Sequence, residues 1–240
     1  MNSFWRSDIR IRQMQPEMMD QINLDECAHR SALRGLVRVN LISLTHRSLW
    51  KPIIRLMRSR APKPIRVLDV ACGGGDVTVR LALAARRCRL PISIDGCDMS
   101  PTALTVAREH AKSAGVPCQF FSLEVTKEKL PDDYDVVVTS LFMHHLPTES
   151  AVKLLRSMCQ APRKLVLVND LVRSRFGYLL ARFGGYLLSR SPIVHSDGPI
   201  SVAGAFTPQE FQEMSLRAGM QGATVKRIWP ARMLLEWSRS

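Results

Sequence analysis

The sequence lacks the marks of a secreted, membrane-spanning or metal-clamped protein. Its six cysteines, Cys27, Cys72, Cys88, Cys97, Cys118 and Cys159, form no CxxC, and no histidine stands near any of them at metal-ligand spacing. This argues against a zinc knuckle or a disulfide framework. The expectation is no metal, and reduced, mostly buried thiols in a cytoplasmic protein. The first residues, MNSFWRSDIRIR, hold no continuous apolar run of the kind a secretory leader needs. The stretch closest to a membrane segment is Phe176 to Leu188, FGYLLARFGGYLL. It is too short to span a bilayer and carries Arg182 in its middle. It suits an interface or the wall of an apolar pocket, so a peripheral membrane contact is one expectation. There is no internal repeat, no low-complexity segment and no run of five basic residues.

The charge is nevertheless lopsided, at +13 with a pI near 10.1. Such a balance suits anionic partners, nucleic acid or an anionic membrane. The scatter of Arg and Lys from Arg6 to Arg239 equally suits a solvated surface. Residues 1–60 hold eleven Lys/Arg against five Asp/Glu, so +6 of the +13. This front piece has helical spacing over DECAHRSALRGLVRVNLISL, with Leu33, Leu36, Val37, Asn40, Leu41 and Leu44 on one face. A second helix is predicted from about His46 to Ser59. The Pro62-Lys63-Pro64 sequence ends it. The expected division is an N-terminal helical cap over 1–62 and one α/β domain over 63–240, with a substrate-side insertion at about 174–206.

From Ile65 strands and helices alternate. Strands are predicted at 65–70, 92–97, 118–123, 134–140 and 164–169. Ser100-Pro101 opens a helix that Gly115 closes. Another helix runs from Thr148 to about Cys159. Alternation of this kind means a parallel, doubly wound sheet. After a helical 174–190, residues 191–206 read as an irregular loop. Thr207-Pro208-Gln209-Glu210 is a capping box that starts a helix ending at Gly219. Two last strands, at about 223–229 and 232–237, are predicted to pair as an antiparallel hairpin.

The first strand breaks into VLDVACGGGD, Val67 to Asp76. Strand, glycine turn, helix is how α/β proteins hold nucleotide-like ligands. The dinucleotide fingerprint fails here, because Thr78 stands where its third glycine belongs. A P-loop is excluded because no Gly-Lys-Ser/Thr follows. An acidic residue, Asp69, stands four positions before Gly73, where neither motif calls for one.

Asp69-Val-Ala-Cys-Gly-Gly-Gly resembles the first motif of class I S-adenosylmethionine-dependent methyltransferases, with Ala71 in place of its first glycine. The resemblance covers about Ile65 to Asn169, and the closing helix and hairpin more loosely. It implies a Rossmann-like, seven-stranded, mostly parallel sheet with helices on both faces, an antiparallel last hairpin and an N-terminal helical lid. It implies S-adenosylmethionine as cofactor. Asp69, Ala71, Cys72, Gly73 and Gly75 would form the turn around the carboxypropyl end, the glycines letting the backbone come close. Asp98, ending the second strand in GCDMSP, would accept from the ribose hydroxyls, with Met99 against the adenine. Glu124 and Val125 would lie near the adenine amino group, and Ser140 would end the fourth strand beside the cofactor.

Methyl transfer needs alignment and, for an oxygen or acidic carbon nucleophile, removal of a proton. His144 and His145 follow the fourth strand at the edge where ligands bind, so either could be the base. His195, in HSDGPIS, is an alternative base. Asp197 beside it and Asp170 at the end of the fifth strand are candidate substrate-binding groups. The fourth strand ends in Ser140-Leu141-Phe142-Met143 and not in an N/D-P-P-Y/F sequence, which disfavours base methylation. The layout is similar to methyltransferases of the ubiquinone/menaquinone-biosynthesis and polyketide- or phenol-tailoring groups. The reading is O-methylation, ahead of C-methylation, of a small hydroxylated aromatic or lipophilic polyketide-like acceptor. The alternative is an RNA methyltransferase, which requires Arg30, Arg34, Arg38, Arg47 and Arg55 to share one exposed face.

Overall fold

The computed structural model describes residues 9–18, 25, 27–28, 30–33, 35, 44–59, 63–188 and 191–239. Residues 27–28, 30–33 and 35 are helical. Of the helix predicted over 25–44, Asp25 is not helical, and Leu44, expected on the apolar face, is instead exposed with left-handed backbone at φ 53°; Arg34, Leu36, Val37, Arg38, Asn40 and Leu41 lie outside the described residues. Helix α1, Thr45–Arg58, precedes strand β1, Ile65–Val70. Then come α2 (Asp76–Arg87), β2 (Ile92–Asp98), α3 (Pro101–Ala114), β3 (Phe120–Ser122) and β4 (Val136–Ser140). A single 3₁₀ turn, Met143–His145, leads to α4 (Thr148–Gln160) and β5 (Leu165–Leu171). Helices α5 (Arg175–Leu188), α6 (Pro192–Gly204) and α7 (Pro208–Arg217) and strands β6 (Thr224–Ile228) and β7 (Arg232–Ser238) complete the order.

The seven strands form one sheet in the order β3-β2-β1-β4-β5-β7-β6. The first five are parallel to their neighbours. Strand β7 runs antiparallel to both β5 and β6. Chain order reverses between β1 and β4, so the crevice beyond their C-terminal ends is where a ligand is expected. The centre of the sheet is buried on both faces, which is why β4 and β5 read as unbroken apolar runs. On one face Leu68, Val137 and Val166 pack with Leu155 and Met158 of α4 and Phe211 of α7. On the other, Val67, Val138 and Leu167 pack with Leu49 and Ile53 of α1, Val79 of α2 and Ala107 of α3. Each such fully buried branched side chain contributes about 1.5–3 kcal/mol of burial free energy.

Helix ends follow the local chemistry. Ser100 Oγ accepts from the Ala103 N–H at 3.2 Å, and Gly115 takes the left-handed conformation that closes α3. The Thr207–Glu210 capping box is reciprocal, as its spacing requires.

Two expectations are corrected. Residues 192–204 are helix α6, not loop. Ser191-Pro192 is a start signal, but Pro199, inside the helix, cannot donate to the His195 carbonyl and weakens the local pattern. The helix persists because Ile193, Val194, Pro199, Val202 and Ala203 are buried; tertiary packing overrides propensity here. The cysteines are not mostly buried. Cys72 and Cys97 are, whereas Cys27 and Cys88 are exposed and Cys118 and Cys159 lie between. Cys88 falls just past α2, in its C-cap, where no strand covers it. All six are free thiols.

Candidate active site

The glycine turn is built on an acid. Asp69 sits in the middle of the sheet, 1% exposed, and its Oδ2 accepts from Thr78 Oγ1 at 2.7 Å. Thr78 lies on the first turn of α2, so this bond ties strand to helix across the turn. It also explains the residue standing where the dinucleotide motif has a third glycine. Asp69 Oδ1 is buried without a hydrogen-bond partner. Burial pushes the Asp69 carboxyl up to about 7; the Thr78 hydroxyl opposes this, and the charges of Asp76 and Asp98 add to it. Three carboxylates therefore face one turn, an environment that favours a cation.

Ala71, Gly73 and Gly75 all have positive φ, at 53°, 53° and 71°. At Gly73 a Cβ would meet only Leu33 Cδ2, at 4.0 Å. At Gly75 a Cβ would lie 2.8 Å from the Ala107 Cβ and 3.1 Å from the Phe120 ring. Gly75 thus has a packing reason of its own: the absence of a side chain lets α3 and β3 close on the turn. Gly96 is the glycine that motif reasoning missed. A Cβ there would lie 2.8 Å from Cys72 Sγ and 3.0 Å from Phe120. Cys72 and Cys97 are buried beside the turn, where burial raises both thiols, that of Cys97 to about 12. They are packing groups, not nucleophiles.

At the end of β2, Asp98 Oδ2 accepts from the Gly73 N–H at 2.8 Å, and Oδ1 from the Ser100 N–H at 2.9 Å. The carboxylate thus joins the glycine turn to the start of α3 and keeps acceptor capacity on both oxygens. Met99 follows it, 65% exposed at the same edge. Glu124 is paired with Lys127 at 2.9 Å, and its N–H donates to Glu128 Oε1 at 2.6 Å. The Val125 side chain belongs to the core. Ser140 is half-buried at the end of β4. Leu141 beyond it adopts φ 55°, and its N–H donates to the Asn169 carbonyl at 2.9 Å. Ala71 and Leu141 thus hold left-handed backbone just past β1 and β4, the two strands that flank the switch point.

A second cluster lies past β4 and β5. His144 is buried, and its Nδ1 is 2.6 Å from Asp170 Oδ1. Asp170 also accepts from the backbone N–H groups of His144 and Leu171. Strand β5 runs on through Leu171, so Asp170 is an interior strand residue and not the terminal one expected. Burial would raise its carboxyl, but the His144 charge and hydrogen bond outweigh this and hold it below the usual range. Glu17 Oε1 lies 3.7 Å from both His144 Nε2 and His145 Nδ1. A cavity of about 260 Å³ opens beside them, lined by Met14, Gln15, Glu17, His144, His145 and Ile200 among others.

Sequence reasoning missed Glu17 and the clamp that places it. Arg12 Nε donates to the Gly204 carbonyl at 2.6 Å, one terminal nitrogen donates to the carbonyls of His144 and Leu146, and the guanidinium stacks 3.7 Å over the Phe206 ring. Arg173 makes a bidentate pair with Glu210 and donates to the carbonyls of Ile9, Arg10 and Ala205. Ser201 Oγ donates to Glu17 Oε1 at 2.7 Å. The signal for all of this is one buried arginine, Arg173, and one half-buried, Arg12, and burial is not visible in a run of scattered basic residues. Two expected site residues fall elsewhere. His195 lies on the first turns of α6, half-buried, and is not among the residues lining the cavity. Asp197 is buried and accepts from the Met18 N–H at 3.0 Å, so it anchors the segment that carries Glu17.

Two of the arginines that an RNA-binding face would need are engaged apart. Arg30 pairs with Glu109 on α3, and Arg55 with Glu236 on β7. Arg34 and Arg38 lie outside the described residues.

The strand order with its antiparallel β7, and an acidic glycine turn beside a second acid at the end of β2, define a cofactor-binding α/β domain of the methyltransferase type. A family profile described as a methyltransferase domain matches residues 67–164. A ubiquinone biosynthesis O-methyltransferase of Thiobacillus denitrificans (strain ATCC 25259 / T1) is 31% identical over 172 residues, 70% of this chain and 70% of that protein. The chain belongs to the class I S-adenosylmethionine-dependent methyltransferases. Against the protein of the same description from Aeromonas salmonicida (strain A449), identity is 30% over 158 residues, which span only 62% of that relative. Among solved structures, magnesium protoporphyrin IX methyltransferase from Synechocystis PCC 6803 with bound SAH superposes with TM-score 0.59 at 17% identity, covering 82% of this chain and 83% of that one. That similarity is one of fold.

The family's cofactor is S-adenosylmethionine, and the residues at the turn fit it. The buried, unpartnered Asp69 oxygen among three carboxylates suits a ligand carrying ammonium and sulfonium charges. Asp98 has acceptor capacity for ribose hydroxyls, and Met99 offers an exposed apolar surface for a base.

Proposed function

We propose that this chain transfers the methyl group of S-adenosylmethionine to an oxygen of a small hydroxylated aromatic or polyketide-like acceptor. Bound S-adenosylmethionine supplies an electrophilic methyl carbon. Everything else falls to the chain. Asp69, Ala71, Cys72, Gly73 and Gly75 would hold the amino-acid end, Asp98 the ribose, and Met99, Glu124, Val125 and Ser140 the base and its surroundings. The observation that carries the acceptor reading is the cavity beside the His144–Asp170 pair. It is lined by apolar Met14 and Ile200 together with the two histidines and Glu17. At about 260 Å³ it falls just short of the usual small-molecule pocket, which runs from about 300 Å³ upward, so a single substituted ring suits it better than a polymer. The ordering Asp170–His144–Glu17 supports proton removal from an acceptor hydroxyl at this edge. His145, also on the cavity, is the second candidate base.

Helix α5 leaves Phe176, Leu179, Leu180 and Phe183 exposed, and Trp229 stands 6.1 Å from Phe176, ring to ring. Such a row supports a peripheral contact with a membrane surface from which a lipophilic acceptor enters. Among the described residues no helix is long and apolar enough to cross a membrane.

The test is incubation with methyl-labelled S-adenosylmethionine and a panel of phenols, catechols and quinols, followed by mass spectrometry. A single-ring product carrying one labelled O-methyl group is expected. Cofactor binding with no labelled product from any member of the panel, but with label in RNA, would overturn the acceptor class.

A further inference from the structure

We propose that Glu17, His144 and His145 form a binding site for one divalent transition-metal ion of the zinc type. Three ligand atoms, Glu17 Oε1, His144 Nε2 and His145 Nδ1, all lie within 4.8 Å of one another. Glu17 Oε1 stands 3.7 Å from each ring nitrogen. Two imidazoles and a carboxylate at about 2.0–2.2 Å from a tetrahedral zinc stand roughly 3.3–3.5 Å apart. Each Glu17–histidine separation therefore needs to close by only a few tenths of an ångström to match that geometry.

The surroundings are those of a built site. His144 Nδ1 is held by Asp170 at 2.6 Å, which directs the Nε2 lone pair toward Glu17 when Nδ1 carries the ring proton. A carboxylate on the far nitrogen is the arrangement that fixes tautomer and orientation in metal-bound histidines. Ser201 Oγ holds the ligating oxygen of Glu17 at 2.7 Å. The His144 side chain is 4% exposed, that of Glu17 10% and that of His145 20%. The Arg12 and Arg173 clamps bring Glu17 onto the histidine turn from a distant part of the chain. No sequence spacing could disclose this cluster. The fourth position of the ion faces the cavity, as it does in catalytic rather than structural zinc sites. With the ion bound, the His144 and His145 nitrogens are ligands and not bases, and the ion itself would make a bound acceptor hydroxyl more acidic; that role rests on the proposed function, whereas binding of the ion does not.

The test uses the full chain, stripped with a chelator and then titrated with Co²⁺ and, in competition, Zn²⁺. One Co²⁺ per chain is expected, with visible d–d absorption and no thiolate charge-transfer band in the near ultraviolet, which sets the site apart from Cys27 and Cys88. Glu17→Gln should weaken Co²⁺ at least tenfold, and Asp170→Asn about 10–100-fold through His144. S-adenosylmethionine affinity, measured by calorimetry on the same samples, should stay unchanged. If Glu17→Gln fails to fold by circular dichroism, His145→Asn decides. Metal uptake that survives these substitutions, that vanishes in a Cys27→Ser/Cys88→Ser variant, or that never reaches one ion per chain would overturn the site. Loss of labelled product from a chain that still binds one Co²⁺ would instead overturn the methyl-transfer reading.

Discussion

Asp170 Oδ1 lies 2.6 Å from His144 Nδ1, inside a sheet edge where both side chains are almost fully buried. The pair fixes the ring and gives Nε2 a defined direction toward the cavity. Asp170→Asn keeps the shape and removes the charge. Turnover with the best phenol acceptor should fall about 100-fold, the lower end of what a positioned acid–base group contributes. The cofactor Kd should change by less than about threefold, because Asp69 and Asp98 are untouched. Single-turnover kinetics with calorimetry on the same variant separates the two quantities. An equal loss in both would mean that the pair holds the fold and not the proton.

Asp98 carries two structural hydrogen bonds, to the Gly73 and Ser100 N–H groups, before any ribose reaches it. Asp98→Ala removes those together with the acceptors for the ribose. Hydrogen bonds to a charged group are worth about 1.5–3 kcal/mol each, so the cofactor Kd should rise at least tenfold. Asp98→Asn keeps one acceptor oxygen and should sit between the two. Isothermal calorimetry gives the order, and an unchanged Kd in Asp98→Ala removes the ribose assignment.

The centre of the sheet was legible in the sequence because β1, β2, β4 and β5 are largely buried and bounded by Pro, Gly and Asp98. The order of elements from Ile65 to Gly115 follows those signals to within a residue or two. The second half of the candidate site was not legible. His144 and His145 stand out in the sequence, but Glu17 reaches them only through Arg12, Arg173 and the α6 helix. Helix α6 was hidden by Pro199 and its polar residues, since burial and not propensity makes it a helix. The glycines were legible as a turn but not by purpose. Gly75 answers to Ala107 and Phe120, residues whose approach only the packed sheet reveals.

The raised Asp69 carboxyl gives the ligand-free protein and the cofactor complex opposite pH dependence. With a folded-state value of about 7, well above the ordinary carboxylate range, the group favours the folded state fully at acid pH. That contribution is lost as pH rises through about 7. Its share of the ligand-free melting temperature should therefore decline from about pH 5 to pH 8, and Asp69→Asn should flatten that slope. A cation bound beside Asp69 favours its ionised form, so cofactor affinity should rise with pH up to about 7, at most tenfold per pH unit. Thermal melts and calorimetry over this range read both. Affinity independent of pH in the wild type would detach Asp69 from the cofactor.

Gly73 and Gly75 share positive φ but differ in what a side chain would strike, and this separates backbone strain from packing. Gly73→Ala places its Cβ 4.0 Å from the nearest atom, Leu33 Cδ2. It should cost only the left-handed conformation, about 1–2 kcal/mol. Ala71 already bears that conformation two residues earlier. Gly75→Ala adds a Cβ 2.8 Å from Ala107 Cβ and 3.1 Å from the Phe120 ring, so an overpacking cost of about 1–3 kcal/mol comes on top. Urea unfolding should rank wild type, Gly73→Ala and Gly75→Ala in falling stability. The double variant Gly75→Ala/Phe120→Leu relieves the ring contact but not the one to Ala107, and should recover part of the loss at position 75. Equal losses at 73 and 75 would mean that α3 gives way to a side chain at the turn, and that Gly75 is there for its backbone angle alone.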